Sequence, residues 1–220
     1  MECSGSHGSA VKYEESMIKN IIFDLGNVLI SWKPEEYLIK NGYEEQSRKT
    51  ILSEVFRSPE WLALDNGDMS LDEAVKSIAS TSSLETAEIY AVFNLRTKIL
   101  FPLDQNTKMV PVLKKEGFRL YYLSNFPEDI FDEVYCKYEF FRFFEGGLIS
   151  ARAKASKPDK RIYRILLDRY SLIPEESLFI DDSHANALSA ETFGISVIHL
   201  SDATSLKTNL QDFLGINLKI

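Results

Sequence analysis

The stretch that most limits how this chain can fold runs from Lys19 to Ile30 and reads Lys-Asn-Ile-Ile-Phe-Asp-Leu-Gly-Asn-Val-Leu-Ile. Ile18, Ile21, Ile22 and Phe23 make a short apolar run of strand length, dominated by β-branched residues. It lacks the polar alternation of a half-wet strand, so it reads as a strand buried on both faces. Asp24 closes the run, and Gly26 follows. Open α/β sheets collect their chemistry at the carboxyl ends of such strands. A helix cap or a turn aspartate is the plain alternative, and this stretch alone leaves both open. A second acidic pair, Asp181-Asp182, follows another apolar run at 177–180 and tips the balance toward a site.

Taken in order, residues 1–16 carry Gly, Ser and His without apolar periodicity. They read as a disordered leader or an expression scar, with Met17 as a natural start and no role for His7. After the first strand, Ser31-Trp32-Lys33-Pro34 breaks the pattern, and residues 34–100 read as helices only. Ser70-Leu71-Asp72-Glu73 resembles a capping box, Ser83-Leu84-Glu85-Thr86 opens a further helix, and Asp65-Asn66-Gly67-Asp68 is a turn. An α/β pattern resumes with a helix at 107–115, a strand at 118–123 that delivers Ser124-Asn125, and a helix at 127–138. It continues with a strand at 146–150, a helix at 158–170, a strand at 177–180, a helix at 185–193, a strand at 195–200 and a short helix near 204–213. Alternation of this kind implies a parallel sheet with right-handed crossovers. The expected architecture is a Rossmann-like, three-layer α/β/α core from residues 17–33 and 101–220, with a helical cap at 34–100 inserted after the first strand.

With 220 residues, 45% of them apolar, the chain can bury a sizeable core. Its net charge of −8 disfavours a nucleic-acid or anionic-membrane surface, yet leaves room for one small anion site built from a lysine and backbone amides. Cys3 and Cys136 have no metal-type spacing, which fits a reduced, cytoplasmic protein. No apolar run reaches membrane-spanning length.

Four polar sites follow or flank the expected strands: Asp24, Ser124, Lys157 and Asp181-Asp182. Singly, each reads as well as a turn serine, a solvated lysine or a helix cap. In order and context they resemble the haloacid dehalogenase-like superfamily of aspartate-nucleophile phosphohydrolases, over about residues 18–200. The Phe23-Asp24-Leu25-Gly26-Asn27-Val28 form of the first motif resembles a bacterial branch that includes sugar-phosphate phosphatases. The resemblance implies Asp24 as nucleophile, attacking phosphorus to form an aspartyl-phosphate. It implies that Ser124, the Asn125 amide, Leu25, Gly26, Asn186 and Lys157 surround the phosphoryl group, with Asn186 also helping to position Lys157. Asp24, Asp182 and the Gly26 carbonyl would hold Mg²⁺, with Asp181 beside them or among the ligands. A phosphate dianion next to several carboxylates needs such a cation, and hard oxygen ligands suit Mg²⁺.

One position departs from most phosphatases of the superfamily, which carry a second aspartate two residues after the nucleophile as general acid and base. Here that position is Gly26. Its carbonyl can still meet a metal, but a missing acid-base group typically costs about 10²–10⁴-fold. His184 stands beside the acidic pair and reads as an exposed helix-start residue, and His199 as structural. Trp61 reads first as core packing, whereas cleft lining is as good a reading for Trp32. The expected function is therefore a Mg²⁺-dependent phosphatase of a small organic phosphate, a sugar phosphate among the candidates. The alternatives are a 2-haloacid dehalogenase using the same aspartate, and a weakly catalytic phosphometabolite-binding protein.

Overall fold

A computed structural model describes residues 18–219. The expectations for residues 1–16, including Cys3 and His7, lie outside the described residues. Strand β1 spans Asn20–Phe23, β2 Arg119–Ser124, β3 Gly146–Ile149, β4 Ser177–Asp181 and β5 Ser196–His199. They form one five-stranded sheet in the order β3-β2-β1-β4-β5, parallel throughout.

The period of two along a strand sorts its side chains between two covered faces. Ile21 and Phe23 join Leu120, Tyr122, Leu178 and Ile180 in one apolar cluster, under the helices Met109–Lys115, Glu128–Lys137 and Leu206–Leu214. Ile22 goes to the other face, where Tyr121, Leu123 and Phe179 meet the helices Lys160–Tyr170 and His184–Glu191. The core is therefore a three-layer α/β/α sandwich, and β1 is buried on both sides as its composition requires. Burial of a large apolar side chain is worth about 1.5–3 kcal/mol, so this central strand anchors the register. Gly147 on β3 is needed for close approach: a Cβ there would lie 2.3 Å from the Tyr122 ring.

Several boundaries differ from the sequence reading, each for a local reason. β1 starts at Asn20, since Ile18 precedes the pairing. Ser150 opens a short helix, Ser150–Ala153, and does not extend β3. The helix expected from Pro158 starts at Lys160, because the Asp159 side chain caps it by accepting from the Arg161 N–H at 2.8 Å. The helix at Thr86–Asn94 is capped at Glu85, whose N–H donates to Glu88 at 2.8 Å, while the Ser83 N–H donates to Glu54 instead.

From Pro34 to Ile99 the regular elements are all helical. The capping box at Ser70 and Glu73 is present. These helices enclose their own apolar cluster, built on Leu38, Val55, Ala74, Val75, Ile89 and Phe93. Trp61 stacks on Phe93 with centroids 5.4 Å apart, and Trp32 stacks on Trp61 at the same distance. Polar contacts join this block to the sheet domain, among them Tyr138 Oη donating to the Leu100 carbonyl at 2.7 Å. Arg96 forks onto Asp129, with Nη2–Oδ2 at 2.7 Å and Nη1–Oδ1 at 3.2 Å. Ser150 Oγ donates to the Asp65 carbonyl and Lys154 Nζ to the Gly67 carbonyl. Gly67 is at φ +68° and would place a Cβ 2.6 Å from the Ala151 carbonyl oxygen, so the turn seats on the core only with glycine there.

Candidate active site

The parallel register brings the expected residues to one edge of the sheet. Phe23 pairs with Tyr122 and Ile180, so Asp24, Ser124 and Asp181-Asp182 leave the sheet side by side at its carboxyl end. Asp24 still pairs through its N–H with the Ile180 carbonyl at 2.8 Å, and the chain then folds back on itself. Leu29 and Ile30 donate to the Leu25 carbonyl at 2.9 and 2.8 Å, and Asn27 donates to the Ile30 carbonyl at 2.7 Å. Asn27 sits at φ 52°, a left-handed conformation that asparagine tolerates better than most residues.

Lys157 is the hub. It is 4% exposed, and its Nζ lies 2.9 Å from Asp24 Oδ1 and 2.6 Å from Asp181 Oδ2. The Asn125 side chain holds its backbone from both sides, donating to the Lys157 carbonyl at 2.9 Å and accepting from its N–H at 2.8 Å. Asp181 is completely buried and its oxygens are fully engaged: Oδ1 accepts from Ser183 N–H at 2.8 Å and from Asn186 Nδ2 at 3.0 Å, and Oδ2 from Lys157 and from Asn186 at 3.1 Å. Tyr163 in turn donates to the Asn186 carbonyl at 2.9 Å. Asp181 thus acts as the support of Lys157, and Asn186 as the support of Asp181.

Asp182 has a different environment. It is half-buried, and its Oδ2 accepts from Asn27 Nδ2 at 3.0 Å, while Asn27 Oδ1 accepts from the Trp32 N–H at 3.0 Å. Carboxylate oxygens of Asp24, Asp181 and Asp182 lie within 4.8 Å of one another. Three carboxylates around one ammonium leave an excess of negative charge, and the oxygen-only donor set suits a hard divalent cation. The electrostatics show the same excess. Burial pushes the Asp24 carboxyl up to about 7, against the pull of the Lys157 ammonium and with Asp181 and Asp182 adding to the rise. Burial also raises Asp182. Burial alone would lower Lys157, but Asp24 and Asp181 outweigh it and its pKa is raised.

A cavity of about 240 Å³ opens over this edge, between the sheet domain and the helical block. Asp24, Gly26, Ser124, Asn125, Lys157, Asp182 and Asn186 line its floor. Leu25 does not line it; its side chain is in the core, and its N–H donates to Asp24 Oδ1 at 2.7 Å. Trp32 and Trp61 both line the upper wall, so Trp61 serves packing and cleft together. His184 is exposed at its helix start and lies 5.3 Å from the His199 ring, whose Nε2 is 3.1 Å from the Asp182 carbonyl. Neither histidine lines the cavity. Sequence reasoning did not single out Asn27 or Arg96, and took Asp65 only as part of a cap turn that bears on substrate choice; all three line the cavity. A buried arginine amid Phe93, Leu95 and Ile99 was the available signal for Arg96.

The chain belongs to the haloacid dehalogenase-like hydrolases: that family's profile matches residues 18–194. It is therefore an enzyme of a hydrolase family, with the family's α/β core. Among its relatives is the sesquiterpene phosphatase astK of Aspergillus oryzae, 27% identical over 197 residues that cover 90% of this chain and 97% of that protein. Drimenol cyclase drtB of Aspergillus calidoustus is 28% identical over 90% of this chain, which spans 37% of that longer protein. Of solved structures, the HAD family enzyme bt-2542 of Bacteroides thetaiotaomicron, in complex with magnesium and inorganic phosphate, superposes with a TM-score of 0.64 at 25% identity, covering 82% of this chain and 93% of that one. No helix among the described residues is long and apolar enough to cross a membrane.

Proposed function

We propose that this protein is a Mg²⁺-dependent phosphatase that passes the phosphoryl group of a small organic monoester to Asp24 and then to water. The observation that carries the reading is the buried Lys157 ammonium, 2.9 Å from Asp24 and fixed from behind by Asp181. It supplies a fixed positive charge beside a carboxylate nucleophile, which is the central electrostatic need of phosphoryl transfer. Asp24 attacks phosphorus in line with the leaving oxygen. Ser124 and the Asn125 amide bind the transferring oxygens, and Lys157 offsets their charge. Asp24, Asp182 and the Gly26 carbonyl would hold Mg²⁺, which supplies further charge neutralisation on the phosphoryl group. The relative crystallised with magnesium and inorganic phosphate supports a site that takes both. Phosphate release that EDTA abolishes is the result expected; metal-independent halide release from a 2-haloacid would replace this reading with a dehalogenase.

Mg²⁺ is expected to raise the melting temperature of the wild type, since a ligand of the folded state stabilises by mass action. Asp182→Ala should remove most of that rise. A Mg²⁺-dependent melting shift of unchanged size in the variant would take Asp182 out of the metal site.

The helical block at 34–100 acts as a cap that selects the leaving group. Trp32 and Trp61, with Leu100, Phe126 and Ile130, offer an aromatic and aliphatic wall. Such a wall takes the C–H face of a sugar ring or an apolar chain. Asp65 and Arg96 favour a hydroxylated group, and the sesquiterpene phosphatase relative favours an apolar one. Trp61→Ala should change the ranking of a panel of sugar and isoprenoid monophosphates by about 10-fold or more, the scale of a lost apolar contact in a specificity pocket. Equal losses on every ester would mean that Trp61 supports the fold and does not select.

A further inference from the structure

We propose that Asp65, carried by the helical block, is the acid and base of the reaction and stands in for the side chain that Gly26 lacks. The proposal rests on the phosphatase reading above. At position 26 the cleft holds no functional side chain, and a Cβ built there meets no neighbour nearer than Asp24 Oδ2 at 4.0 Å. A proton for the leaving oxygen must therefore come from elsewhere in the cavity. Its titratable lining, among the described residues, is Asp24, Asp182, Lys157, Asp65 and Arg96. Asp24 is the nucleophile. Asp182 belongs to the metal side and is engaged by Asn27. Lys157 is locked between two carboxylates that favour its charged form. Arginine does not give up its proton in proteins. Asp65 remains.

Its placement suits the task. Asp65 ends the helix Pro59–Asp65, one turn after Trp61, whose indole lies close enough to lower the Asp65 carboxyl pKa. Its carbonyl accepts from Ser150 Oγ, and the same Oγ accepts from the Phe126 N–H at 2.8 Å. One hydroxyl thus ties Asp65 to the loop that starts with Ser124 and Asn125. Gly67 and Lys154 fix the following turn. The groups around the carboxyl act in both directions: burial raises it, Arg96 and the nearby Trp61 indole lower it, and Asp129 raises it, for a pKa of about 7. Both protonation states are then present near neutral pH, as an acid-base group requires.

Asp24 forms a bond to phosphorus as the ester P–O bond breaks, and the Asp65 proton goes to the leaving oxygen. Water then attacks the aspartyl-phosphate, its proton returns to Asp65, and the bond from phosphorus to Asp24 breaks. The products are the alcohol and inorganic phosphate.

The test compares the pre-steady-state burst of leaving-group release from an alkyl phosphate and from p-nitrophenyl phosphate, whose leaving group needs no proton. Asp65→Asn should slow the alkyl burst by about 10²-fold or more, the scale of a lost general acid, and the nitrophenyl burst by several-fold at most. The fall of the wild-type alkyl burst above neutral pH should also disappear. Adding Gly26→Asp to Asp65→Asn should restore part of the alkyl burst, and a thermal melt shows whether either variant is folded. Equal slowing of both bursts, or an unchanged alkyl burst, overturns the proposal while leaving the phosphatase reading intact. Failure of the wild type to release phosphate from either ester with Mg²⁺ present overturns both.

Discussion

Asp24→Asn abolishes turnover in this account, with kcat lower by about 10⁴-fold or more, the scale of removing a covalent nucleophile. The amide keeps the shape of the carboxyl but has neither the charge nor the lone-pair basicity to attack phosphorus. The fold should survive and gain in one respect. The Asp24 carboxyl is held at about 7, above its ordinary 3.8, chiefly by burial. Folding therefore takes up a proton between those values, and the stability linked to Asp24 is present below about pH 4 and is lost as pH rises toward 7. In metal-free buffer at pH 8 the wild type carries the full cost of this buried charge, whereas asparagine carries none. The variant should then melt at or above the wild-type temperature. A variant that keeps substantial activity would end the covalent mechanism; one that is inactive but melts well below wild type would mean that the carboxylate is structural.

Asp181→Ala is expected to cost both stability and activity. The carboxylate has no exposed surface and takes hydrogen bonds from Lys157, Ser183 and Asn186. Its removal leaves a buried ammonium short of one partner and two N–H donors short of an acceptor. Breaking a buried pair in this way costs about 3–5 kcal/mol. At about 2–4 °C per kcal/mol for a chain of this size, the melting temperature should fall by roughly 6–20 °C. Relief of the repulsion between Asp181 and Asp24 works in the opposite direction, but it ranks below the pull of Lys157 on Asp24. Activity should fall as well, because Lys157 would no longer be held against Asp24. A melting temperature equal to wild type would show that Asp181 does not hold Lys157.

The sheet and the floor of the site could be read from the sequence because both depend on short-range pattern. Ile21, Ile22 and Phe23 have the composition of a doubly covered strand, and Asp24, Ser124 and Asp181-Asp182 each sit where such a strand ends. Parallel register then brings them together without further information. The division of labour inside the acidic pair was not legible. Asp181 and Asp182 are adjacent and identical, and only the alternation of the strand end sends one to the buried lysine and the other to Asn27. Asn27 was passed over because its role depends on a left-handed backbone and on a contact 155 residues away. Arg96, and the place of Asp65 within the cleft, were hidden for a related reason. Asp65 looked like one more turn carboxylate, and it enters the cleft only because Gly67 lets the turn seat on Ala151 and Arg96 forks onto Asp129. Docking between two packed units leaves no periodic trace in either segment.

The most direct test of the central claim is rapid-quench mapping of the phosphoryl group during turnover. Wild-type protein mixed with Mg²⁺ and a phosphate monoester, then quenched in acid, should carry one phosphoryl group on the peptide that contains Asp24, formed no more slowly than kcat. In water enriched in ¹⁸O, a single turnover should place the label in inorganic phosphate and none in the Asp24 carboxyl. Label in the Asp24 carboxyl, or turnover with no phosphoryl group on that peptide, would contradict the account.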